Sequence, residues 1–168
     1  MTEEQLPKGS FQQLTQEYYN LYKNLLQKNT FDKLVVNFNA EVCPRNHKLI
    51  NSPNTEVVYK LKASPKMCNE FGVVHGGFLA SAVDFLTTVA GAAYTKDHEE
   101  HFLSVQLHLD YLRSAPKGKE FFVLCEMNKL GKALLFTTAR IFDEKFKLSY
   151  TGSHTMFRFR TDNKRPKL

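Results

Sequence analysis

Along the first third of the chain, apolar residues recur first at helical spacing and then at a spacing of two. Phe11, Leu14, Tyr18, Leu21, Tyr22 and Leu25 share one side of a helix that Ser10 opens, with Gln13 placed to complete a capping box. From Lys33 the runs LVVNFNAEV and EVVYKLKA alternate apolar with polar residues around the turn-rich CPRNHKLINSPN, and predict two strands. Ser64 to Val74 reads as a loop. Gly77 to about Tyr94 reads as the longest apolar helix, and its small residues at Ala80, Ser81, Ala82, Ala90, Gly91, Ala92 and Ala93 let another element approach closely. After the polar KDHEEH come FLSVQLHLDYL, EFFVLCEM, ALLFTTARIF and, less cleanly alternating, KLSYTGSHTMFRF. Turns at SAPKGK, NKLGK and DEKF join them. No helix separates these last strands, so parallel crossovers are ruled out. The pattern predicts an α+β fold in which an antiparallel sheet covers one long central helix, with an additional helix at the N-terminus.

The length of 168 residues sets one domain, expected over 10–159, between a flexible 1–9 and a basic tail at 160–168. Hydrophobic residues at 42% and charged residues at 24% fit an ordinary globular protein. The formal charge of +6 suits an anionic partner without choosing among nucleic acid, a membrane surface and a phosphorylated small molecule. No nucleic-acid-binding module accompanies the basic residues, so no nucleic-acid partner is expected. Cys43, Cys68 and Cys125 are far apart and lack metal spacing, which argues against a disulfide frame or zinc site and fits a reducing compartment. His98 and His101 in HEEH could share a helical face, but in a polar loop they read as surface, and no metal is expected.

The opening MTEEQLPKGS has the character of neither a secretory signal nor a transit peptide. The closing RPKL shares two residues with the peroxisomal Ser-Lys-Leu signal but has Pro166 where the serine belongs. An intracellular location is expected, in cytoplasm or mitochondrion, with the peroxisome supported only by that imperfect match. Val73 to Thr95 is long enough to span a membrane, yet it holds a central aspartate, a glycine pair and adjacent threonines, so no span is expected.

That aspartate is Asp84, the only Asp, Glu, Lys or Arg in VVHGGFLASAVDFLTTVAGAAYT. Flanked by Val83 and Phe85, it is expected to be buried, and a buried carboxylate needs either hydrogen-bond partners or a function. His75, Gly76 and Gly77 stand where the loop becomes the helix, so their N–H groups face the positive end of the helix dipole and suit a developing oxyanion. Alone, the glycine pair reads more readily as allowing a tight turn or close packing. Gly76 and Asp84 are separated by roughly 12 Å along the axis, at about 1.5 Å per residue, so one reacting carbon cannot touch both within a subunit. If both act on one substrate, a homodimer supplies the geometry.

The run Asn69-Glu70-Phe71-Gly72-Val73-Val74-His75-Gly76-Gly77, followed by Asp84 and by Ser104 in LSVQLHLDYLRSAPKG, resembles the hotdog-fold acyl-CoA thioesterases. The resemblance runs from about Met67 to Phe157 and is to the branch like thioesterase superfamily member 2. It implies a hotdog fold and hydrolysis of an acyl-CoA to free acid and CoA, with no metal or redox cofactor. It also implies that the Gly76 N–H and the Asn69 side chain polarise the thioester carbonyl, that Asp84 and Ser104 of a partner subunit activate water, and that His75 shapes the loop. Gly77 and Phe78 are expected beside the substrate, and Phe71, Phe78 and Phe85 are candidates for an acyl tunnel or for plain core. Arg113, Lys117, Lys129 and Lys132 lie at turns where CoA phosphates could meet them. His108, among apolar neighbours on a strand, reads as structural or as an interface residue. A homodimer is the implied minimum and a homotetramer of two dimers the implied assembly. The alternatives are a non-catalytic acyl-CoA-binding hotdog protein and a dehydratase, which needs a histidine and a carboxylate in other places.

Overall fold

The structure, a computed structural model, describes residues 8–26, 38–97 and 99–160. The N-terminus to residue 7, the start of the first expected strand at 34–37, the Leu25 side chain, His98 and the tail from residue 161 lie outside the described residues.

Chain order runs α1 (Phe11–Leu26), β1 (Ala40–Val42), β2 (Glu56–Lys62), a short 3-10 turn at Pro65–Met67, α2 (Gly76–Thr95), β3 (Glu100–Tyr111), β4 (Glu120–Leu130), β5 (Leu134–Asp143) and β6 (Leu148–Arg160). All strand pairs are antiparallel, in one six-stranded sheet of order β1-β2-β4-β5-β6-β3. A sheet curled about a single long helix is the hotdog arrangement, reached through the expected succession of elements.

Of the expected first strand, Ala40–Val42 pairs with β2, and Phe38 and Asn39 stand before it outside the ladder, the Phe38 carbonyl being held by α1. Tyr19 Oη donates to the Phe38 carbonyl at 3.1 Å and accepts from the Ala40 N–H at 2.9 Å, while Lys23 Nζ also donates to Phe38 at 2.9 Å. Ser10 Oγ caps α1 by accepting from Gln13 N at 3.1 Å. The return bond from Gln13 goes one residue further back than expected, accepting from Gly9 N–H. Leu21, expected on the apolar face, is exposed, and Tyr19 is buried instead.

α2 packs against the sheet, with α1 packed beside it. Leu79, Val83, Leu86 and Val89 are fully buried, and each such side chain contributes roughly 1.5–3 kcal/mol. Edge-to-face contacts of Phe11 on Tyr94 at 5.7 Å and Tyr19 on Phe85 at 5.8 Å join the two helices. Gly91 lets the sheet come close: a Cβ there would stand 2.6 Å from Leu135 Cδ2. α2 has the length and apolarity of a membrane span, but most of it is buried inside the fold.

The segment CPRNHKLINSPN is more than a turn. Leu49 and Ile50 from it cover a second apolar cluster of Cys43, Val58, Phe122 and Leu124. Cys43, Cys68 and Cys125 are free, and burial pushes the Cys43 thiol up to about 12.

Candidate active site

The loop before α2 is folded by its own polar groups. Cys68 and Val74 form an antiparallel bridge, Asn69 N donates to Val73 O at 2.9 Å, and Gly72, in the left-handed region at φ +73°, closes the turn onto Asn69 O. The Asn69 Oδ1 accepts from Phe71 N at 3.1 Å and Val73 N at 3.3 Å. With its oxygen held inside the turn, Asn69 is left to donate outward through Nδ2, the end that stabilises negative charge on an oxygen.

His75 is the N-cap of α2, and its Nδ1 accepts from the Gly77 N–H at 2.9 Å. Gly77 therefore spends its donor within the cap. The Gly76 N–H takes no acceptor among the described residues and stays open at the positive end of the helix. Tyr111 Oη donates to Gly76 O at 3.1 Å, and a Cβ at position 76 would lie 3.1 Å from the Tyr111 ring, a contact the exposed tyrosine would have to yield to by a few tenths of an ångström.

Asp84 is not buried as expected; its side chain is 47% exposed in the single chain. It faces β3, the edge of the sheet, so no further strand covers it. Ser104 Oγ donates to Asp84 Oδ1 at 2.6 Å. A register shift between Ser104 and Gln106 marks a bulge in β3 at this serine, the device by which a strand re-aims a side chain.

His154, on β6 and fully buried, completes the group. Its Nε2 lies 3.0 Å from Ser104 Oγ and 3.3 Å from Asp84 Oδ1, while its Nδ1 lies 2.6 Å from Thr87 Oγ1. The protons follow from counting donors. Ser104 has one hydrogen and gives it to the carboxylate, so Nε2 donates to Ser104, while Thr87 Oγ1 stands 2.6 Å from both the Val83 carbonyl and Nδ1 and has one hydrogen to place between them. Burial holds the His154 pKa below the usual histidine value, and the nearby Asp84 raises it in smaller measure.

Neither His154 nor Thr87 nor Tyr111 was a candidate from sequence. The signal for His154 was present: Gly152, His154 and Met156 are the inward phase of β6, and a histidine in that phase needs partners.

The aromatic candidates separate by environment. Phe71 is 80% exposed, and Phe85 is core, packed on Tyr19 and Phe38. Phe78 is half-buried against Phe38 and, with Gly77, His75, Ser81, Lys66 and Cys68, lines a depression of about 380 Å³ at the start of α2. Arg113, Lys117 and Lys132 are exposed outside the strands, whereas Lys129, expected in a turn, is exposed on β4 opposite Phe136; among the described residues no hydrogen bond or ion pair joins the four to the Asp84 group. His101 stacks on Phe159, and exposed His108 pairs with Asp110 at 3.2 Å. Among the described residues no three His, Cys, Asp or Glu side chains converge as a metal site.

Residues 71–150 match the family model described as Thioesterase superfamily, a span that holds His75, Gly76, Asp84 and Ser104 but not Asn69 or His154. Human acyl-coenzyme A thioesterase 13 is 27% identical over 108 residues, 64% of this chain and 76% of that protein. The crystal structure of mouse thioesterase superfamily member 2 superposes with a TM-score of 0.66 at 22% identity, covering 85% of this chain and 96% of that one. A hypothetical thioesterase from Streptococcus pneumoniae, solved with coenzyme A, superposes with a TM-score of 0.61 at 17% identity, covering 73% and 90%. These structural likenesses establish the shared fold.

Proposed function

We propose that the chain, whose residues 71–150 match the Thioesterase superfamily model on a hotdog scaffold, hydrolyses an acyl-CoA to a carboxylic acid and CoA, in an active site completed by a second copy of itself. The observation that carries this reading is the Asp84–Ser104–His154 chain at the open edge of the sheet. Asp84 Oδ1 is held by Ser104, while Oδ2 takes no donor among the described residues and is free to hold water.

In this mechanism Asp84 accepts a proton from that water as its oxygen bonds to the thioester carbon. Negative charge gathers on the carbonyl oxygen, where the Gly76 N–H and Asn69 Nδ2 of the other subunit stabilise it. Collapse of the tetrahedral species re-forms the carbonyl and breaks the C–S bond, and the departing thiolate takes the proton from Asp84. His154 positions Ser104 and, through it, the carboxylate. A positioned base supplies about 10²- to 10⁴-fold and an oxyanion donor about 10²- to 10³-fold.

The two-subunit site is supported by the roughly 12 Å of helix between Gly76 and Asp84. It is supported too by β3, a 12-residue edge strand that exposes Leu103, Val105 and Tyr111. Such an edge is a surface for pairing. Two dimers forming a tetramer extend the reading, and light scattering tests both states. Arg113, Lys129 and Lys132 are the proposed contacts for CoA phosphates. The free thiols support a reducing location, in cytoplasm or mitochondrion, which cell fractionation checks.

The test is thiol release from a panel of acyl-CoAs by wild type and Asp84→Asn, with assembly followed by light scattering. A fall of at least about a hundredfold in an intact variant supports the mechanism. Equal turnover by both removes Asp84 from it, and binding without hydrolysis by wild type leaves a non-catalytic acyl-CoA-binding protein.

A further inference from the structure

A second cleft, of about 640 Å³, opens where the start of α1, the end of α2 and the turn at residues 53–55 meet. It lies at the opposite end of α2 from Gly76, roughly 30 Å along the helix axis. Among the described residues its lining holds three cations, Lys8, Arg45 and Lys96, and no carboxylate. All three are exposed, and none forms an ion pair among the described residues.

Two further features point to an occupant. The first turn of α1 carries no acid, and the N–H groups of Phe11 and Gln12, both lining the cleft, take no acceptor among the described residues. Gln12 itself is fully buried. Its Nε2 donates to Pro53 O at 2.9 Å and Glu56 O at 3.0 Å, which fixes the orientation of the amide, and its Oε1 is left without a donor. A buried acceptor without a donor is uncommon in folded proteins and calls for a partner. The carbonyl end of α2 also reaches the cleft, but its partial charge of about −0.5 is cancelled by the amide end of α1, leaving three full positive charges.

We propose that this cleft binds a phosphate ester carrying a nearby hydroxyl or amino donor, as a ribonucleotide does. The cations and open amides take the phosphate, and Gln12 Oε1 takes the donor. CoA ends in such a group, and free nucleotides carry the same chemistry. Identifying the occupant as the substrate's nucleotide end rests on the acyl-CoA reading. In the acyl site shared by two subunits, the cleft then belongs to the subunit that supplies Asp84, roughly 16 Å along α2 from it, and not to the one that supplies the Gly76 N–H.

The experiment titrates adenosine 3′,5′-bisphosphate into the full chain and into Arg45→Glu/Lys96→Glu by calorimetry, at low and high salt. In parallel it compares KM for an acyl-CoA with KM for the matching acyl-pantetheine, which lacks the nucleotide. The expected result is saturable binding that weakens with salt and falls by about tenfold or more in the variant. A matching rise in KM for the acyl-CoA alone assigns the cleft to the substrate, and unchanged KM values assign it to a free nucleotide. Absence of saturable binding to wild type, or equal affinity in both proteins, overturns the proposal. If the bisphosphate binds as expected but no acyl-CoA is hydrolysed, the thioesterase reading fails and the cleft stands.

Discussion

From Val89 to Ala93 every residue of α2 is buried, and Gly91 is the contact that brings the helix onto Leu135. From Gly76 to Thr88 the same helix leaves an N–H open at Gly76, half-exposes Asp84 and holds a buried histidine through Thr87. The second half obeys packing alone. The first breaks the packing rules at three positions, and all three converge on charge and proton handling. Departures from local consistency concentrated in one stretch mark where function is built into a scaffold.

The sharpest way to break this contrast is Asp84→Asn. Activity is expected to fall by about 10²- to 10⁴-fold while the urea midpoint stays put, since the side chain is 47% exposed and contributes little to the core. Thiol release and urea titration on one preparation check both halves of the statement. The converse variant, Gly91→Val, forces a branched side chain where a Cβ already meets Leu135 at 2.6 Å. Stability is expected to drop by roughly 1–3 kcal/mol, with kcat/KM per folded molecule unchanged. A kinetic defect in that variant would mean the two halves are coupled.

His154→Gln tests the boundary between the halves, because His154 is as buried as the core yet bonded to Ser104. A loss of kcat of about tenfold is expected, the size of one hydrogen bond to a charged group's partner. A pH profile identical to wild type would reduce His154 to a packing residue. The smallest effect is on stability against pH. Burial lowers the folded-state pKa of His154 below 6.5, so the unfolded chain takes up the proton first as pH falls. Stability is therefore held above about pH 6.5 and lost as pH falls through the lower folded value. Urea midpoints across that range should decline in wild type and flatten in His154→Gln.

Much of the scaffold was legible along the chain. Periodicity placed both helices and the last four strands, because each element alternates at its own period against one core. Of the expected first strand LVVNFNAEV, Ala40–Val42 pairs with β2, while Phe38 and Asn39 stay outside the ladder, where Tyr19 and Lys23 hold the Phe38 carbonyl. In the candidate site Asp84 stood out as the lone charge in an apolar helix, and Ser104 entered only through resemblance. His154 went unnoticed because it lies 50 residues from Ser104 and 67 from Thr87, and only pairing of β6 with β3 brings them together.

The order of elements, the apolar helix and its single carboxylate were determined by the sequence, because local periodicity and the cost of burying charge act over a few residues. Tertiary structure alone decided how far Asp84 is exposed and which histidine orders the serine. Those outcomes depend on a sheet edge and a bulge set by contacts between distant segments, whereas the cap that leaves the Gly76 N–H open joins His75 to Gly77 two residues on.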